Sequence, residues 1–151
     1  MQVEPDFWEV SWQLEGEAFE ILRKMGEEVT IEAQKKVFSE GDPGDSMYLV
    51  LEGYALVMSG GKDVVQGESE ERDTLSIIPP GQSFGELALL IQQERLADVI
   101  AGTELKALKI TRAALEKLEK ESPENAVILY KKLAQTLSEQ LVERSQNARK
   151  D

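Results

Sequence analysis

The sequence predicts a mainly β protein, a sandwich or barrel of short strands with one helix in front and two behind. Two observations carry this. From Val29 to about Val99 short apolar runs are cut by turn residues, GDPGD at 41–45, SGG at 59–61 and PPG at 79–81, the texture of an all-β domain. On either side of that region apolar residues recur at helical spacing instead.

The leading helix is read from Leu14, Ala18, Phe19, Leu22 and Met25, with Gly26 as its stop. Between Gly61 and Asp73 the segment GKDVVQGESEERD is polar and charged, which suits a hairpin tip facing solvent. After Leu108 the run TRAALEKLEKES reads as a helix ending near Pro123, because proline disfavours helical geometry in the residue before it. A longer helix follows, from Glu124 to about Lys150. Val127, Tyr130, Ala134, Leu137, Leu141 and Ala148 give it an apolar stripe broken only by Arg144, a seam that a partner helix could cover. The expected division is 1–122 for the β region with its leading helix and 123–151 for the long helix of the same domain.

Composition narrows the chemistry. Acidic residues number 29 against 17 basic ones, a net charge of -12, so the averaged field repels nucleic acid and anionic membrane surfaces. The 151 residues contain no histidine and no cysteine, the usual ligands of zinc, copper and non-haem iron, and histidine is the commonest general base. Metal-assisted hydrolysis and the usual catalytic triads are thereby excluded, and the expectation is a protein that is no enzyme and holds no metal or cofactor. With no secretory signal at the amino terminus and no apolar run of about 20 residues, a cytoplasmic location is expected.

Two segments together resemble the cyclic-nucleotide-binding domain family, shared by catabolite-activator-type regulators, cyclic-AMP-dependent kinase regulatory subunits and cyclic-nucleotide-gated channels. Residues 37–57, VFSEGDPGDSMYLVLEGYALV, are similar to the strand, glycine-aspartate turn and strand of that family. Residues 79–101, PPGQSFGELALLIQQERLADVIA, are similar to its phosphate-binding cassette, a glycine-glutamate pair opening a short helix and an arginine nine residues after the glutamate. The likeness extends from about Leu14 to Leu141. It implies a double-stranded β-helix, a β-roll of jelly-roll type with one amino-terminal and two carboxy-terminal helices. It also implies a regulatory sensor of a cyclic nucleotide, cyclic AMP first and cyclic GMP as the alternative, in which ligand draws in the hinge around Leu118 to Glu124 and moves the last helix. Activator-type regulators continue into a helix-turn-helix, whereas this chain stops at Asp151, so direct DNA contact is not expected and the downstream effector is left open.

The cassette also makes physical sense as an anion cradle. Gly85 lets backbone approach a ligand, and ELALL should form a helical turn whose free amides, Leu87 and Ala88 the candidates, face the anion. Arg95 can grip two phosphate oxygens, and Glu86 can accept from a ribose hydroxyl. A glutamate in a first helical turn or an arginine on a surface is ordinary when alone; it is the spacing with Gly85 that carries the argument. By the resemblance Val57, Leu75, Ser76 and Leu96 surround the base, and Arg144 and Ser145 fall where purine-contacting polar residues lie. Leu96 stands where guanine-preferring relatives often have threonine, which favours cyclic AMP. Gln34 replaces a usual glycine, so a different turn geometry is expected there. Asp98 replaces the threonine of kinase-type members, and a carboxylate close to a phosphate would weaken binding. GDPGD is explained as a tight turn that needs no ligand. The resemblance further implies a homodimer through the last helix. The rival to sensing is an interaction module that keeps the fold without the affinity.

Overall fold

The computed structural model describes residues 16–58 and 74–149. The hairpin tip expected between Gly61 and Asp73 and residues 14 and 15 of the leading helix lie outside them. Among the described residues eight strands form two antiparallel four-stranded sheets. The first has the order β1-β8-β3-β6, from β1 (Glu27–Ile31), β8 (Leu105–Thr111), β3 (Ser46–Glu52) and β6 (Ser83–Phe84). The second has the order β2-β7-β4-β5, from β2 (Lys36–Phe38), β7 (Asp98–Ala101), β4 (Ala55–Met58) and β5 (Thr74–Ile78). Among the described residues there are also four helices: α1 (Gly16–Met25), α2 (Glu86–Ile91), α3 (Arg112–Glu121) and α4 (Pro123–Arg149). This is the jelly-roll-like β-roll with flanking helices that the sequence predicts. No described helix is long and apolar enough to cross a membrane.

β3 and β8 belong to two cores at once. Met47 and Leu49 of β3, with Leu108 and Ile110 of β8, point to the helices and pack with Ile21, Leu22, Leu115, Leu129 and Leu133. Tyr48 and Val50, with Leu105 and Ala107, point the other way and meet Ala55, Ile78, Phe84, Val99 and Ala101 between the sheets. Residues 46–50 are therefore buried on both faces of the strand.

β8 corrects the sequence-based boundary, which ended the strand region near Val99. A strand buried on both faces shows no apolar-polar alternation, and LKALKIT carries its lysines three residues apart, a spacing that mimics a helix. Thr111 then caps α3, its side chain accepting from Ala114 N at 3.1 Å. α3 stops before Pro123, with the Ser122 amide closing on Leu118 O at 2.8 Å.

α4 packs against α1 and α3 through Ala126, Leu129, Leu133 and Thr136. That stripe lies one residue back from the seam of Val127, Tyr130, Ala134, Leu137 and Leu141. Within the seam Val127 is 51% and Leu141 66% exposed.

Candidate functional site

The site begins where β6 ends. Gly85 turns the chain at φ 82° and ψ 12°, a left-handed conformation that an L side chain adopts only at a cost. A Cβ there would stand 2.7 Å from an Arg95 Nη and 3.3 Å from Ser46 O, so space as well as torsion demands glycine. α2 starts at the next residue, Glu86, which is buried, and the amides of its first turn have no partner within the helix. Ala88 is buried and Leu87 is exposed. Gly44 of the GDPGD turn lies so close beneath the helix that a side chain on it would collide with Ala88 Cβ.

Arg95 closes the site from the other side. Its backbone is clamped by the GDPGD turn: Arg95 N donates to Asp42 O at 2.9 Å, and Gly41 N donates to Arg95 O at 2.8 Å. Its guanidinium, only 6% exposed as a residue, donates through Nη2 to Ser46 O at 2.8 Å and Ser46 Oγ at 3.2 Å. Nη1 donates to Gly85 O at 3.3 Å, and the group lies 4.0 Å from the centre of the Phe38 ring. Nε is buried and has no acceptor among the described residues. Burial lowers the arginine's pKa from its ordinary value; Tyr48 and the carboxylates of Asp45, Asp42 and Glu86 act against that. The arrangement is a buried cation beside the amide end of a helix, with a donor unspent. It can bind an anion by charge and by directed hydrogen bonds together.

The family model of the cyclic nucleotide-binding domain matches residues 28–122, which include all of these groups. The chain belongs to the cyclic nucleotide-binding domain family. Among solved structures it is similar to the N-terminal domain of a transcriptional regulator from Streptomyces coelicolor A3(2), at 28% identity over 89% of this chain and 87% of that one, with TM-score 0.66. The catabolite activator protein of Thermus thermophilus is 27% identical over 89% of this chain, with TM-score 0.65, and the chain spans 61% of that protein's length. An EAL enzyme in its cAMP-bound form is 26% identical over 81% of this chain and 29% of its own, with TM-score 0.52.

The other residues singled out in this cyclic nucleotide-binding domain are placed unevenly. Val57 packs against the core between the sheets and pairs in register with Ser76 across β4 and β5. Leu75 falls at the register shift of that pair of strands and is 62% exposed, and Leu96, just after Arg95, is 64% exposed. Ser145 is exposed on α4, beyond the stripe that packs on the chain; the Arg144 side chain lies outside the described residues.

Two expectations are corrected. Asp98 does not point its carboxylate into the anion cradle. It alternates with Val99, which faces the core between the sheets, and Asp98 Oδ1 accepts from Glu40 N at 2.7 Å while Oδ2 stands 3.5 Å from Lys36 Nζ. Gln34 does not change the turn geometry that a glycine would give: it adopts φ 71° itself, held by Gln34 N to Ala101 O at 2.7 Å and Gln34 Nε2 to Gly102 O at 3.2 Å. Ser46 and Phe38, the inner contacts of Arg95, were missed. Their only signal was position within the first family-like segment, since an arginine bonded to a carbonyl leaves no mark on the partner's side chain.

Arg112 was missed as well. At the start of α3 its Nη2 donates to the Ala88 carbonyl, and its amide donates to Asp45 O at 2.8 Å. The cassette helix is thus tied to the first turn of α3.

Proposed function

We propose that the chain senses a cyclic nucleotide, cyclic AMP in preference to cyclic GMP, and turns its binding into a displacement of α4. One observation carries this reading: Gly85, the amide end of α2 and the Arg95 guanidinium converge, with Nη1 3.3 Å from Gly85 O. The cyclic phosphate would take Arg95 and the Leu87 and Ala88 amides, and Glu86 would accept from the ribose hydroxyl. The base would lie toward Val57, Leu75, Ser76 and Leu96. Leu96 puts an apolar side chain where guanine-binding relatives place threonine, and a guanine amino group left unpaired there costs about 1 to 3 kcal/mol; the Ser76 hydroxyl is the one group of the four that could offset it. The cAMP-bound relative supports the same choice.

Movement would pass through Arg112. An anion drawn to α2 shifts the helix whose Ala88 carbonyl Arg112 holds, and Arg112 stands in the first turn of α3, which leads through Ser122 into α4. On α4 itself, burial pushes the Tyr130 phenol up; Glu119 of α3 adds to this by charge and as hydrogen-bond partner, while Arg112 opposes it. A ligand can favour one position of α4 only by binding that state better. The exposed stripe of Val127, Ala134 and Leu141 would pair with a second copy, because 27 residues span about 40 Å and the packed stripe ends at Thr136.

A competing reading is an interaction module without affinity, favoured by the engagement of Arg95 with carbonyls of its own chain. Thermal unfolding with each nucleotide decides between them. At a hundred times its dissociation constant, cyclic AMP should add about 2.7 kcal/mol of stability, and cyclic GMP at equal concentration should add less. No shift with either nucleotide would favour the interaction module, and tighter binding of cyclic GMP would overturn the base assignment. Sedimentation equilibrium tests the pairing, which a 16.9 kDa monomer with and without nucleotide would rule out.

A further inference from the structure

A carboxylate as deeply buried as that of Asp98, 2% exposed, is rare unless it is bonded and charge-balanced. Its bonds lead to the phosphate site by a short route. Asp98 Oδ1 accepts from the amide of Glu40 at 2.7 Å, and the next two residues of that turn grip Arg95 by its backbone, Gly41 N to Arg95 O at 2.8 Å and Arg95 N to Asp42 O at 2.9 Å. The turn is also closed on itself, with Asp42 N donating to Ser39 O at 3.0 Å and Ser39 N to Asp42 Oδ2 at 2.9 Å. Segment 95–98 therefore holds one turn at both ends, Arg95 through its main chain and Asp98 through its side chain.

We propose that Asp98 is the positioning residue of the anion-binding arginine: it fixes the Glu40–Asp42 turn, and the turn fixes where Arg95 leaves the backbone. This rests on the assignment of Arg95 to the ligand phosphate. A hydrogen bond from an amide to an ionised carboxylate is short and strong, and Lys36 at 3.5 Å balances the charge that burial would otherwise penalise. The carboxylate lies on the face of β7 opposite Val99 and the core between the sheets, and it reaches the site through the backbone of the Glu40–Asp42 turn. An anion-binding guanidinium is useful only where its root is held to a fraction of an ångström, because the partner oxygens are fixed by the ligand.

The test compares Asp98→Ala with Asp98→Asn, which keeps an oxygen for the Glu40 amide, and measures two quantities. The first is amide hydrogen exchange at Gly41 and Arg95 in the ligand-free protein, with Leu108 and Ile110 as reference amides in the helix-side core. Asp98→Ala should speed exchange at Gly41 and Arg95 about tenfold more than at the references, the order expected for loss of one charge-assisted bond, and Asp98→Asn should restore most of the protection. The second is the affinity for cyclic AMP by calorimetry. Asp98→Ala should raise Kd about tenfold in the unaltered chain and less than about twofold in an Arg95→Ala background, because residues acting through one contact are not additive. Equal acceleration in both cores, unchanged exchange at Gly41 and Arg95, or the same loss of affinity with and without Arg95 would each overturn the positioning role. If the unaltered chain binds no cyclic nucleotide, the sensing assignment falls, and the exchange measurement still decides whether Asp98 holds the turn.

Discussion

The two faces of β3 and β8 do different work. Toward the helices the buried residues are leucine, isoleucine, methionine and alanine, a layer whose burial stabilises the fold. Toward the other sheet the same strands border a region where Ser46, Glu86 and Arg95 are buried, and there Tyr48 and Phe84 stack at 5.2 Å between centroids. Polar groups in such a place cost stability unless every one is bonded, and Arg95 Nε has no partner among the described residues. The difference separates an apolar layer against the helices from an apolar layer that carries a buried cation and carboxylate, Arg95 and Glu86, at its border.

Substitutions on the two faces should therefore split cleanly. Leu49→Ala, on the helix face and fully buried, should lower unfolding free energy by about 2 to 5 kcal/mol. The affinity of the remaining folded protein for nucleotide should change little; chemical denaturation and calorimetry on the same sample check both halves. Arg112→Ala tests the bridge between the faces. Loss of its bond to Ala88 O should reduce the coupling between nucleotide binding and α4 pairing by about 1 kcal/mol, read as the change in dimer constant on adding ligand. A dimer constant that responds to nucleotide as in the unaltered chain would break that link. The smallest effect lies away from both faces. Gln34→Gly relieves a left-handed glutamine but loosens the unfolded chain and removes the bond to Gly102 O, so a net gain of about 0.5 kcal/mol is expected, a rise of about 1 to 2 °C in Tm.

How much of this was legible in the sequence follows the same division. The helices announced themselves through period and punctuation, Gly26 and Pro123 above all, and the turns GDPGD, SGG and PPG marked the strand region. β8 was hidden because both of its faces are buried. On α4 two adjacent stripes are apolar; the sequence showed the outer one, Val127 to Leu141, while the chain's own core takes Ala126, Leu129 and Leu133. In the site, Gly85, Glu86 and Arg95 were readable because their spacing is fixed by one short helix and its return. Ser46, Phe38 and the turn around Gly41 were not, since they hold Arg95 by carbonyls, amides and a ring face that no residue pattern specifies. The direction of Asp98 depended on a partner 58 residues away in sequence, Glu40, and so could not be read locally.

Whether the buried polar groups around Arg95 hold a cyclic nucleotide is tested most directly by titrating cyclic AMP into the unaltered chain and into Arg95→Ala by calorimetry, with circular dichroism confirming the fold of both. A buried charge left without its partner costs about 2 to 5 kcal/mol, so the variant should bind at least about thirtyfold more weakly. Equal affinity in two folded proteins would contradict the assignment of Arg95 to the ligand phosphate.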